Sequence, residues 1–116
     1  MRYEYGDIVI VDFPFSDWSK SKRRPALVLA HDLEDDVVLA RITSKPRESA
    51  TDWAMQDWKS SKLLFPSTIS LGKLATLSRS LVEKKSGELS ARDRAGATQA
   101  LRTFVESLDS ASALKN

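Results

Sequence analysis

The chain has 116 residues, of which 41% are hydrophobic, and 18 Lys and Arg against 16 Asp and Glu give a net charge of +2. This length suits one domain, residues 1–116, that can bury its own core. The absence of cysteine excludes structural disulfides and thiol nucleophiles. The N-terminus is too charged for a signal peptide, and no apolar run approaches the ~20 residues of a membrane helix. We therefore expect a cytoplasmic protein with no membrane partner.

Three strand patterns follow one another in the first half of the chain. Residues 6–13 read GDIVIVDF, and their β-branched content predicts a strand buried on both faces over part of its length. A polar loop, PFSDWSKSKRR, comes next. Pro25 then belongs near the start of the second strand, ALVLAH, because proline has no N–H to donate. Residues 32–35 predict a hairpin turn before the third strand, DVVLARIT.

The second half predicts weaker strands. In TDWAMQDW, Trp53 and Met55 alternate with polar or small neighbours, which is typical of a half-buried strand. Several short strands are expected over residues 63–85, with breaks at Pro66, Gly72 and Ser86-Gly87.

The last element is a helix over about 90–109. Ser90 is a good N-cap, with Asp93 three residues later as a variant of the capping box. Apolar residues then recur at helical spacing and predict one face packed on the sheet: Leu101, Phe104, Val105 and Leu108. The predicted fold class is mainly β, an SH3-like small barrel of short antiparallel strands with a C-terminal α-helix.

Most familiar catalytic residue sets are missing. His31 is the single histidine, which excludes a two-histidine acid–base pair, and its position marks the end of a strand. The acidic residues near 32–36 lack the glycine and the twelfth-position glutamate of a calcium loop, so we interpret them as a solvated turn and predict no metal and no cofactor. A basic cluster remains, and it is either a phosphate-binding patch or a solvated loop: Lys20, Lys22, Arg23 and Arg24.

An ordered set of motifs runs through the first 44 residues. Gly6-Asp7 opens an apolar strand that ends Val11-Asp12-Phe13, a polar loop leads to an Arg24-Pro25 strand, and the next strand ends Ile42-Thr43-Ser44. Residues 66–69, 74–77 and 87–90 continue the pattern. In this order the sequence resembles the MazF/PemK family of type II toxin–antitoxin endoribonucleases. The resemblance implies a homodimer that a cognate antitoxin holds inactive.

The resemblance also implies the chemistry. The RNA's own 2′-hydroxyl attacks the adjacent phosphate without a metal, and Arg24 and Thr43 are the implied catalytic residues. Arginine can give a phosphate two hydrogen bonds where negative charge develops. The expected contacts of the single-stranded RNA are Trp18, Lys20, Lys22, Arg23, Arg41, Ser44 and Lys73. Arg41 is included because it precedes Thr43 by two residues and so projects from the same strand face.

Other interpretations of these residues stay open. The alternative for Arg24 is a salt bridge to Asp12, and the alternative for Thr43 is ordinary β-propensity. The alternative for Trp18 is to anchor its loop instead of stacking on a base. Trp53 and Trp58 are expected in the core or a dimer interface. The same fold also supports toxins that poison DNA gyrase by binding alone, since fold does not fix function.

Overall fold

The computed structural model describes residues 2–14 and 21–114, without the side chains of 13–14, 21–22, 31–33 and 110–114. Six strands precede one long helix. The elements in chain order are β1 (Asp7–Pro14), β2 (Ser21–Leu33), β3 (Asp36–Thr43), β4 (Asp52–Ala54), β5 (Thr68–Ser78), β6 (Val82–Glu88) and α1 (Ala91–Leu114), with a 3₁₀ turn at Arg79–Leu81 between β5 and β6.

The strands form one antiparallel sheet in the order β4-β5-β3-β2-β1-β6. The register places Val11 of β1 opposite Arg24 of β2, and Thr43 of β3 opposite Thr68 of β5. The turn between β2 and β3 contains Glu34, whose φ of 58° is the left-handed conformation that such tight turns need. The predicted mainly β fold with a C-terminal helix is confirmed.

Strand β2 begins earlier than expected. Lys22, Arg23 and Arg24 were predicted in a loop, but they lie on β2, which pairs with β1 from Ser21 onward. The proline inside this strand is tolerated because β3 pairs with β2 only from Ala26, so no ladder hydrogen bond is required on that side at residue 25.

Residues 68–88 form two strands joined by the 3₁₀ turn, and the predicted break at Gly72 is wrong. Gly72 lies inside β5, where Ser70 faces Arg41 but Leu74 faces Ala40, so the glycine belongs to a bulge. Gly87 likewise lies inside β6 next to a shift in register against β1. Glycine therefore bends these strands without ending them.

The core occupies both faces of the sheet. One cluster lies under the helix and consists of Ile8, Leu27, Ala40, Ile42, Met55, Ile69, Leu71, Ala97 and Ala100. The other lies on the opposite face and consists of Tyr3, Val9, Val11, Ala26, Val28, Val37 and Leu39. Because neighbouring residues of β1 enter different clusters, the prediction of a strand buried on both faces is confirmed.

Helix α1 begins at the predicted cap but continues to Leu114, beyond the predicted end near residue 109. Its side chains differ from the prediction in two further ways. Ser90 Oγ accepts the backbone N–H of Asp93 at 3.1 Å, as expected. The Asp93 carboxylate turns into the protein, however, and is fully buried. Leu101 packs on the cluster under the helix, as predicted, beside the buried Ala97 and Ala100. Val105 and Leu108 are 55% and 56% exposed, contrary to the prediction. In the part of the chain that the structure describes, no helix is long and apolar enough to cross a membrane.

Candidate active site

A groove of about 510 Å³ opens where β2 and β3 separate. The last β2–β3 pair is Ala26 with Arg41; beyond it β2 continues along β1, and β3 continues along β5. The chain between β4 and β5 supplies another wall. The described lining residues are Ile10, Arg23, Arg24, Pro25, Ile42, Thr43, Ser44, Lys62, Leu63, Leu64, Phe65, Ser67, Lys84 and Ser86. The two predicted catalytic residues therefore line one groove.

The hydroxyl of Thr43 is held in a defined orientation. Thr43 is 5% exposed, and its Oγ1 accepts the backbone N–H of Lys45 at 3.1 Å. A hydroxyl that accepts one hydrogen bond still has its own O–H to donate. Thr43 is thus suited to donate to a phosphate oxygen in the groove, beside the exposed Ser44.

The two arginines of β2 differ in exposure. Arg24 is half-buried and its Nε atom is buried, whereas the Arg23 side chain is 62% exposed. The register puts Asp12 opposite Arg23, while Arg24 faces Val11. Arg23 donates to Glu83 on β6 at 2.6 Å. An ion pair this exposed contributes little to stability, so exchanging Glu83 for a phosphate has a small cost.

The described charged residues that line the groove all have the same sign. Four of its described lining residues are cationic, Arg23, Arg24, Lys62 and Lys84, and none is a carboxylate. The sequence did not indicate Lys62, Lys84 or Phe65 as site residues. They come from β6 and from the chain between β4 and β5, far from the basic cluster in sequence, and none of the three lies within a motif identified in the sequence. Cationic walls of this kind favour a polyanionic ligand.

Some predicted site residues lie elsewhere. Arg41 and Lys73 do not line the groove; Arg41 lies at the last β2–β3 pair, and Lys73 lies in the bulge of β5. Trp18 and Lys20 fall outside the described residues, and Lys22 is described only by its place on β2.

The tryptophans at 53 and 58 pack on the core instead of forming the groove. Both lie against the cluster under the helix, which agrees with the first of the two places predicted for them, the core or a dimer interface. The Trp53 indole N–H donates to the buried carboxylate of Asp93 at 3.0 Å, and this carboxylate also accepts the backbone N–H groups of Gln56 and Asp57 at 2.8 and 2.9 Å. The end of β4 is thereby tied to the start of α1.

The chain that carries Lys62 and Phe65 is anchored at several points. Ser61 Oγ donates to the carbonyl of Glu88 at 2.7 Å, and the Ser61 carbonyl lies where a side chain on Gly87 would sit. Asp57 accepts hydrogen bonds from Arg92 and Ser90, both at 2.6 Å. Those two donors hold the pKa of the Asp57 carboxyl below its ordinary value. The wall is therefore built on fixed supports.

A second recess, of about 490 Å³, continues from the groove along β6 and shares Lys62 and Ser86 with it. Lys85 lines this recess and contacts Glu88 and Asp7, which raise the pKa of its ammonium group. Among the described residues, no group of three or more His, Asp or Glu side chains is arranged to hold a metal ion.

Comparison with known proteins assigns the family. Residues 4–105 match the family described as PemK-like, MazF-like toxins of type II toxin–antitoxin systems. The chain belongs to this family. A comparison with curated proteins finds no match.

Solved structures agree with the family in fold. A mycobacterial endoribonuclease in complex with its cognate antitoxin has a TM-score of 0.75 and 20% identity, over 90% of this chain and 96% of that one. The Mycobacterium tuberculosis toxin MazF-mt6 has a TM-score of 0.71 and 23% identity, over 86% and 96%. A MazE-MazF structure from Deinococcus radiodurans has a TM-score of 0.72 and 17% identity, over 90% and 96%. These likenesses show a MazF-like fold.

Proposed function

We propose that this MazF-family toxin is a metal-independent endoribonuclease that cuts single-stranded RNA. The observation that carries the proposal is that Arg24 and Thr43 line the same groove, whose described charged residues are all cationic. The mycobacterial structural relative is an endoribonuclease, which supports the same activity for this chain.

The proposed reaction is an internal transesterification. The 2′-oxygen bonds to the adjacent phosphorus and loses its proton, while the bond from phosphorus to the 5′-oxygen breaks and that oxygen gains a proton. The products are a 2′,3′-cyclic phosphate and a 5′-hydroxyl, and no water is consumed. Negative charge grows on the non-bridging oxygens, where fixed donors are most effective. Arg24 supplies two parallel N–H donors there, and Thr43 supplies its O–H.

The decisive experiment is cleavage of a long single-stranded RNA in excess EDTA. We expect cutting to persist and the new ends to be cyclic phosphate and 5′-hydroxyl. Loss of all cutting in EDTA, with recovery on adding magnesium, would overturn the metal-independent mechanism. If RNA is never cut but DNA gyrase is inhibited, the chain is the non-enzymatic binder of the same fold.

Arg24→Lys tests whether Arg24 acts by giving two hydrogen bonds to one phosphate or only by its positive charge. Lysine keeps the positive charge but loses the planar fork, so we expect the cleavage rate to fall roughly 10²- to 10³-fold while much of the RNA affinity remains. Arg102→Lys, an exposed change on α1, is the matched control and leaves the rate unchanged. An Arg24→Lys protein that cuts at the wild-type rate would remove Arg24 from the chemistry.

Thr43→Ala tests the neutral donor. Its rate loss is expected to be smaller than that of Arg24→Lys, and Thr43→Ser restores most of the activity because the hydroxyl is retained. If both residues act on one phosphate, the double variant Arg24→Lys/Thr43→Ala loses less than the summed single effects. Full additivity would place the two side chains on separate steps.

We also propose that the toxin is a homodimer inhibited by a cognate antitoxin. The exposed Val105 and Leu108 give α1 an apolar stripe that self-association would cover. Relatives have been crystallised with their antitoxins, including MazE with MazF. Sedimentation at micromolar concentration should give the dimer mass; a monomer would contradict this part of the proposal.

A further inference from the structure

Two large apolar side chains stand exposed on the rim of the groove. Leu64 is 84% exposed and Phe65 is 62% exposed, and both line the cavity that contains Arg24 and Thr43. Exposed apolar side chains that cluster at a cavity usually mark a place where a ligand binds. The core clusters account for Trp53 and Trp58, but among the described residues neither cluster includes Phe65.

The backbone on both sides of Phe65 is fixed. Leu63 N–H donates to the Trp58 carbonyl at 3.0 Å, and Met55 N–H donates to the Ser67 carbonyl at 2.9 Å. Ser67 Oγ also donates to the carbonyl of Phe65 itself at 2.8 Å. Pro66 further restricts the residue that precedes it to extended conformations. The ring is thus presented to solvent from a preorganised backbone, so binding needs little additional ordering.

The surroundings of the ring identify the occupant. Lys62 and Lys84 line the same groove as Phe65, together with the two arginines of β2, and no described lining residue is acidic. A cationic groove that also presents an aromatic face is the combination that binds single-stranded nucleic acid, in which phosphates follow the charges and unpaired bases stack on the ring. An apolar peptide would bring no negative charge to this cationic groove, whereas RNA brings one phosphate per nucleotide.

We propose that Phe65 is a stacking platform for an unpaired RNA base next to the phosphate held by Arg24 and Thr43. Lys62 and Lys84, which line the same groove, contact the RNA backbone. The inference rests on the proposed function and adds to it a base-binding residue. Stacking works with any base, so Phe65 contributes mainly affinity and position, not the choice of cleavage motif.

Binding of a non-cleavable RNA tests this role directly. The probe is a 2′-O-methyl oligonucleotide, which lacks the attacking hydroxyl, and the measurement is fluorescence anisotropy over a range of salt concentrations. A stacked base is worth ~1–3 kcal/mol, so Phe65→Ala should weaken binding roughly 5- to 150-fold. Phe65→Trp should bind the oligonucleotide as tightly as the wild type or more tightly. The melting temperature should not change, because the ring is exposed.

Leu64→Ala is the matched control, since Leu64 is the neighbouring and more exposed residue but has no aromatic face. We expect Leu64→Ala to weaken binding less than Phe65→Ala does, because only the ring can stack on a base. The slope of log affinity against log salt should stay constant in Phe65→Ala and fall by ~0.7 each in Lys62→Gln and Lys84→Gln. This pattern distinguishes stacking from electrostatic attraction.

Three outcomes would overturn the inference. These are unchanged RNA affinity in Phe65→Ala, equal losses in Phe65→Ala and Leu64→Ala, and failure of Phe65→Trp to restore binding. If Phe65→Ala weakens antitoxin binding but not RNA binding, the ring belongs to a protein interface. If the wild-type protein binds and cuts RNA and Phe65→Ala does so equally well, only this inference is refuted. If the wild-type protein neither binds nor cuts RNA, the proposed function is refuted.

Discussion

Replacing Gly96 with alanine should destabilise the protein, although the same change in most helices is stabilising. In an exposed helix, alanine is favoured over glycine by ~0.5–1 kcal/mol. Here a Cβ on Gly96 would lie 2.1, 2.2 and 2.4 Å from three ring atoms of Trp53. Carbon atoms pack at about 3.5 Å or more, so the indole would have to move by about 1.4 Å.

The indole cannot move that far without breaking its hydrogen bond. Trp53 donates to the buried Asp93 carboxylate at 3.0 Å. Overpacking costs ~1–3 kcal/mol, and losing a hydrogen bond to a charged group costs ~1.5–3 kcal/mol. After the gain in helix propensity is subtracted, we expect a loss of about 2–5 kcal/mol, which lowers the melting temperature by roughly 5–20 °C.

Thermal and urea unfolding, followed by circular dichroism, measure this loss. Ala95→Gly, at the exposed neighbouring position, controls for propensity and should cost only ~1 kcal/mol. In a Trp53→Ala background, Gly96→Ala should become neutral or stabilising, because the obstructing ring is gone. A Gly96→Ala protein that melts at or above the wild-type temperature would refute the packing of α1 on Trp53.

Further predictions concern the wall of the groove and its charges. Gly87→Ala should lower both stability and RNA affinity, because its Cβ would lie 2.3 Å from the Ser61 carbonyl oxygen and displace the chain that carries Lys62. Gly72→Ala is the milder control, because the nearest atom to its Cβ would be 3.1 Å away. Thermal melting and fluorescence anisotropy measure the two effects. The lowered pKa of Asp57 means that its ion pair contributes stability above about pH 4, which is lost as the pH falls through the folded-state pKa. Asp57→Asn should therefore have a lower melting temperature than the wild type at neutral pH, and its melting temperature should fall less steeply as the pH is lowered. An equally steep fall in both proteins would argue against the ion pair. Replacing Lys20, Lys22 and Arg23 with glutamine should reduce the salt slope of RNA binding by about 2, at ~0.7 per lost phosphate contact, whereas an unchanged slope would make the cluster a solvated surface.

The strands and the helix start could be predicted because their signals are local. Runs of β-branched residues predict β1 and β3, whose side chains pack into the two core clusters, and Ser90 as a cap predicts the start of α1. The misplaced breaks at Gly72 and Gly87 have a common cause. Sequence shows that a glycine is present, but only the pairing of neighbouring strands shows whether it ends a strand or forms a bulge within it.

The groove could be predicted only in part, for a related reason. Arg24, Thr43 and Ser44 lie in motifs with a recognisable order, whereas Lys84 and Phe65 enter through contacts between distant segments. Spacing on one strand does not locate the groove: Arg41 shares a strand with Thr43, but it lies at the last β2–β3 pair and does not line the groove. Strand periodicity predicts the face of a sheet and not the place where two strands separate.

The separation of β2 from β3 is what creates the site. After Ala26 pairs with Arg41, each strand follows its other neighbour, and the gap between them forms the groove that Arg24 and Thr43 line. Pro25 suits this gap because it presents no unpaired N–H where β3 is absent. The anchored chain with Lys62 and Phe65 then closes the side that the sheet leaves open. The same departure from regular pairing therefore provides both the opening for a nucleic-acid strand and the positions of the two residues proposed to act on it.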